Sequence, residues 1–211
     1  ESISSNLPDS PINVIIEDNI NSNILYIGND HGVYASFNQG NKWEPFRSGL
    51  TSAAVHDLVI QKDENHLLVG THGRSIYLAD ISLIQDFDID KFTSNIQILK
   101  MKDVKYSNRW GTKRSTDKNY INPKINFPVY SKINVEAELI VLDGNLDIVY
   151  SKDILLENGY NFLDYDLIKT DNIDSSKNIK SQNGKYYLQK GSYTISIKTD
   201  DTTIENQFKI K

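Results

Sequence analysis

The chain has 211 residues, of which 38% are hydrophobic and 24% charged, enough for packed cores and too apolar for a disordered segment. Its 28 acidic against 23 basic residues give a net charge of −5 with no basic face to neutralise phosphates, which argues against nucleic acid as a partner. It has no cysteine, so disulfides, thiolate metal sites and a cysteine nucleophile are excluded, and its longest clean apolar run, Leu139 to Leu142, is far shorter than a membrane span requires.

The chain opens on Glu1-Ser2-Ile3, with neither an initiator Met nor a basic-then-apolar leader, and reads as a portion of a longer precursor. From residue 12 to residue 80, short β-branched segments alternate with Asn, Gly and Asp turns. This pattern predicts strands over Asn13 to Glu17, Ile24 to Gly28, Val33 to Ser36 and Trp43 to Phe46. Three more are expected over Val55 to Ile60, Leu67 to Gly70 and Ser75 to Ala79. The two groups repeat one another. Ile24-Leu-Tyr-Ile-Gly28 with Asp30-His31-Gly32-Val33-Tyr34 returns as Leu67-Leu-Val-Gly70 with Thr71-His72-Gly73 and Ile76-Tyr77. The interval of about 42 residues is that of a four-stranded propeller blade.

Between the third and fourth strands, Ser36-Phe37-Asn38-Gln39-Gly40-Asn41-Lys42-Trp43 resembles the Asp-box signature, with Asn38 where Asp is usual. Asn at that position accepts hydrogen bonds from turn amides, Gly40 supplies positive φ, and Trp43 packs over the hairpin. Ser36, Asn38, Gly40 and Trp43 are thus structural candidates. The order Leu7-Pro8-x-x-Pro11, Asn23 to Gly28, the box, Gly49-Leu50 and Gly70-Thr-His-Gly-Arg74-Ser-Ile-Tyr77 resembles the final blades of bacterial sortilin-like, BNR-repeat proteins over about residues 7 to 85.

After Asp80 the segment Ile81 to Phe92 loses clear alternation and reads as a connector. Residues 107 to 124 are polar, with Arg109, Lys113, Arg114, Lys118 and Lys124, and read as a linker anchored by Trp110. Alternation resumes at Val129 and continues through Ile133 to Leu142, Asp147 to Tyr150, Lys185 to Leu188, Tyr193 to Lys198 and Gln207 to Ile210, as in a small sandwich. Asp143-Gly144-Asn145 has the composition of a hairpin turn. Gly159-Tyr-Asn161-x-x-x-Tyr165-Asp166-Leu167 with Lys190-Gly191-Ser-Tyr193 is similar to the hook-capping type of Ig-like module, with Tyr165 in place of the usual Trp and a polar insertion over 170 to 184.

The expected architecture is all-β: the last two blades of an Asp-box propeller over residues 1–80, a connector and linker over 81–128, and an Ig-like β-sandwich over 129–211. Asp30, His31, His72 and Arg74 are the candidate ligand-binding residues, because the two His-Gly turns recur at matching places and Arg74 offers a bidentate donor. Asp30, Asp57 and Glu64 are the carboxylates available for glycoside hydrolysis, which needs a facing pair. No phosphate loop, nucleophile elbow or His-Glu-x-x-His is present, and two lone histidines about 40 residues apart do not make a metal set. No catalytic residue, metal or cofactor is therefore expected. The resemblance implies a secreted or cell-surface binding or scaffolding protein with a protein or glycan ligand, the alternative being an Asp-box glycoside hydrolase whose catalytic residues lie upstream. The three-strand second group implies an open edge that pairs with further blades of the precursor or with another chain.

Overall fold

The computed structural model describes residues 2–46, 53–85, 94–113, 119–174 and 178–211. Gly49-Leu50, the later part of the connector up to Phe92, Arg114 and Lys118 lie outside the described residues. The chain is all-β, with its sheets antiparallel and open. It divides into two compact units, Glu1–Lys100 with Pro128–Lys132 and Asn158–Phe162, and Met101–Phe127 with Ile133–Glu157 and Leu163–Lys211.

The first unit holds two sheets of consecutive hairpins. Strands β1 (Ile12–Glu17), β2 (Leu25–Asn29), β3 (Gly32–Ser36) and β4 (Trp43–Pro45) form one in the order β1-β2-β3-β4; β5 (Val55–Gln61), β6 (His66–Thr71) and β7 (Ile76–Asp80) form the other. These are the four and the three strands that period-two alternation predicts, each within two residues at its ends. Alternation also decides which face is buried. Tyr26, Val33 and Ala35 from the first sheet, with Ile24 just before β2, share one core with Leu58, Ile60, Leu67, Val69 and Ala79 from the second. The facing backbones come close: a Cβ on Gly28 would stand 2.4 Å from Val55 Cγ1 and 2.8 Å from Val14 Cγ1, so only glycine fits there.

A 3-10 turn, Ile81–Leu83, follows β7 and is capped by Asp80, whose carboxylate accepts from Ser82 N. Strand β8 (Ile96–Ile98) pairs with Val129–Ser131 of β9 (Ile125–Ser131). Tyr130 and Tyr160 complete the core of this unit: Tyr160 stacks on Phe37 at 4.3 Å between ring centroids and meets Tyr130 edge-on at 5.0 Å. Strand β12 (Gly159–Tyr165), like β9, contributes residues to both units.

In the second unit β10 (Val135–Leu142), β11 (Ile148–Leu156), β15 (Gly191–Lys198) and β16 (Thr203–Ile210) form a sheet in the order β11-β10-β15-β16. A short ribbon of β13 (Ile168–Lys169) and β14 (Tyr186–Tyr187) accompanies it. Leu139, Val141, Ile195, Ile197 and Phe208 are buried on this sheet. Asp143 Oδ1 accepts from Asn145 N and Asp147 N, fixing the hairpin turn that joins β10 to β11. Much of the segment read as a linker belongs to this unit. Val104 N donates to Lys209 O and Lys211 N donates back to Val104 O, at 2.8 and 3.0 Å. Trp110 is buried beside Tyr106 and Tyr187. Backbone pairing of this kind is invisible in a polar side-chain pattern.

Candidate functional site

Both His-Gly turns are built from local hydrogen bonds. In the β2–β3 turn Asn29 Oδ1 accepts from His31 N at 2.8 Å, and Gly32 takes φ +136° with open space where a Cβ would lie. In the β6–β7 turn Thr71 N donates to Ser75 O at 3.3 Å, and Gly73 takes φ +70°. The two turns project Asp30, His31, His72 and Arg74 into solvent.

The start of β5 ties two of these residues to one place. Asn13 Nδ2 donates to Asp30 Oδ1 at 3.1 Å and to Val55 O at 3.0 Å, while His72 N donates to Ala54 O at 2.8 Å. Strand β5 carries a register irregularity between Val55 and Asp57, opposite Thr71 and Gly70. A bulge re-aims the extra side chain. Here that residue is His56, whose ring lies 5.4 Å from that of His72 with the planes inclined at 56°. Both rings are exposed. The result is a solvent-facing group of Asp30, Asn13, His56 and His72, of which the sequence reading identifies Asp30 and His72. His56 has no signal in the repeat as a residue type, because the matching register irregularity in β1, between Ile12 and Val14, carries Asn13 and no histidine. His31 shares its turn with Asp30, and Arg74 sits two residues after His72.

The Ser36 to Trp43 turn lies at the other end of β3. Ser36 Oγ accepts from Gly40 N at 2.8 Å, and Asn38 Oδ1 accepts from Lys42 N at 2.9 Å. Gly40 has φ +86°. Trp43 is buried; its Nε1 donates to Ile3 O at 2.6 Å, and Asn6 brackets its backbone by accepting from Trp43 N and donating to Trp43 O at 2.8 and 2.7 Å.

Asp57 and Glu64 stand apart along β5. Asp57 lies at the bulge, whereas Glu64 follows the far end of β5, and the four steps from Asp57 to Gln61 alone span about 13 Å at strand rise. That already exceeds the roughly 9.5 Å limit for a pair of glycosidase carboxyls. Among the described residues there is no group of three or more His, Cys, Asp or Glu able to hold a metal ion.

Two buried carboxylates that the sequence reading passes over have structural surroundings. Asp18 accepts from Ile20 N, Asn21 N, Gln85 Nε2 and Tyr26 Oη. Glu44 accepts from Tyr130 Oη at 2.6 Å and Lys42 Nζ at 3.0 Å. Burial, then the neighbouring carboxylate, pushes the Tyr26 and Tyr130 phenols well above the ordinary tyrosine range, and burial does the same to Tyr160 and Tyr165. Tyr26, Tyr130 and Tyr165 are thereby held neutral and donate to Asp18, Glu44 and the Ile168 carbonyl.

No protein-family model and no curated protein matches the chain. Among solved structures, the extracellular domain of a one-component system from B. thetaiotaomicron is similar at a TM-score of 0.28 and 11% identity, over 96% of this chain and 25% of that one. The chain thus spans about a quarter of that structure's length. A likeness at that score bears on neither the details of the fold nor the function.

Proposed function

We propose that the chain is a binding or scaffolding module of an extracellular or cell-surface protein. In this reading the two sheets of the first unit are the closing sheets of an Asp-box propeller in a longer sortilin-like protein, and the second unit is an Ig-like spacer or cap. The observation that carries the binding role is the bulge in β5, which sets His56 against His72 beside the Asn13-Asp30 pair. Imidazoles, an amide and a carboxylate on hairpin ends backed by packed sheets form a preorganised polar contact surface. A glycan or a polar protein loop is the class of ligand that such a surface fits. The loop chemistry is supported from below: Gly28 lets β5 approach β2, and that approach brings Val55 O within reach of Asn13.

The test is a glycan-array and protein-ligand screen on the 211-residue chain, followed by titration of the best ligand with the histidine ring protons observed by NMR. The expected result is a saturable shift of the His56 and His72 resonances, with binding lost in the His56→Ala/His72→Ala double variant. Turnover of any polysaccharide by the chain, or ligand binding indifferent to the double variant, would overturn the proposal.

A further inference from the structure

Strand β7 is the last strand of the β5-β6-β7 sheet, and among the described residues no strand pairs with its outer side. The directions of its backbone groups follow from two bonds. Thr71 N donates to Ser75 O, and Ile81 N donates to Asn65 O, so Ser75, Tyr77 and Ala79 turn their amide and carbonyl groups toward β6. Ile76 and Leu78 therefore turn theirs to the open edge. Their side chains lie on the sheet face away from the core, 72% and 61% exposed, in line with Val59 at 51% through the cross-strand row Val59, Leu68, Leu78. The usual protections of an edge are missing: β7 contains no Pro and no Lys, and its pairing with β6 has no bulge.

The ends of the strand carry opposite charges, Arg74 before it and Asp80 at its close. We infer that β7 is a self-recognition edge, at which two copies of this chain pair β7 with β7 antiparallel and join their three-stranded sheets into one of six. The inference rests on the reading of β7 as an edge open to another chain, and it names that chain.

Register selects itself. Centred on Tyr77, the pairing sets Ile76 of one copy opposite Leu78 of the other, with the outward backbone groups of both residues facing each other, and brings Arg74 to the Asp80 end of the partner. Centring on Ile76 sets Leu78 against Arg74, and centring on Leu78 sets Ile76 against Asp80; both put an apolar side chain opposite a charge. Cross-strand matching of apolar with apolar and of opposite charges favours the Tyr77-centred register.

The experiment joins sedimentation equilibrium of the 211-residue chain with amide exchange at Ile76 and Leu78 and with oxidative cross-linking of Tyr77→Cys, the one thiol in a chain without cysteine. The expected result is a dimer, slow exchange at both amides that quickens on dilution, and a disulfide dimer of Tyr77→Cys. Leu78→Lys, at an exposed position that leaves the fold intact, should raise the dimer dissociation constant about tenfold or more. A monomer with fast exchange at both amides would overturn self-pairing while leaving the edge open as read. A monomer with slow, concentration-independent exchange would overturn the open edge as well. A dimer that resists Leu78→Lys and does not cross-link at residue 77 would place the interface elsewhere and overturn the inference.

Discussion

Gly28 and Gly70 occupy matching places in the repeat, yet their surroundings differ. A Cβ on Gly28 would overlap Val55 and Val14, whereas a Cβ on Gly70 would meet nothing nearer than Asp57 Cβ at 3.5 Å, an ordinary contact. Gly28→Ala should therefore cost about 1–3 kcal/mol of unfolding free energy through overpacking, and Val55→Ala in the same chain should recover part of it. Gly70→Ala should change stability by less than about 1 kcal/mol. Urea denaturation of the four chains measures both. The buried tyrosines supply a second prediction at this scale. Their phenols are raised in the folded state, so below pH 10 both states keep the proton and the full stability is present. Above about pH 10 the unfolded chain releases those protons and the folded chain does not, so stability falls as pH rises. In an alkaline titration, the phenolate absorbance of Tyr26, Tyr130, Tyr160 and Tyr165 should appear together with loss of the β-sheet circular dichroism. Ionisation of all 12 tyrosines in one step near pH 10 with the dichroism unchanged would contradict it.

The elements legible in the sequence are those in which alternation and turn chemistry coincide. Strands β1, β3, β5, β6 and β7 follow one-sided burial, and the turn from Ser36 to Trp43 announces itself by composition. Its side-chain bonds make a prediction: Asn38→Ala removes the acceptor for Lys42 N and should cost about 1 kcal/mol, while Asn38→Asp keeps it and should leave the thermal midpoint unchanged or raise it. Thermal melts of the two variants decide this. Strand β9 was not legible from its full length because Ile125-Asn-Phe-Pro-Val-Tyr-Ser131 is buried on nearly every residue from Phe127 onward and contains a proline, so period two never shows. The β5 bulge was equally hidden. It changes backbone register without any glycine or proline to mark it, and with it went His56, the residue that turns two separate candidate turns into a shared polar group.

At the scale of the whole molecule, the sequence pattern reads residues 1–80 and 129–211 as successive domains, and the core of the first unit draws on both stretches. Tyr130 hydrogen-bonds Glu44, and Tyr160 stacks on Phe37. A chain ending at Lys100 would leave the buried Glu44 without its tyrosine donor and Phe37 without its ring partner. Such a truncation should expose apolar surface, with dye binding and a broad, non-cooperative melt, in contrast to the full chain. The proposed binding role depends on that same core, since it holds β5 against β2 and so holds His56, His72, Asn13 and Asp30 in one place. The most direct measurement is the histidine-resolved NMR titration of the 211-residue chain with the best ligand from the glycan and protein screen. Saturable, concerted shifts of His56 and His72, abolished by the double alanine variant, are the predicted result; a bound ligand that leaves both rings unshifted would contradict the account.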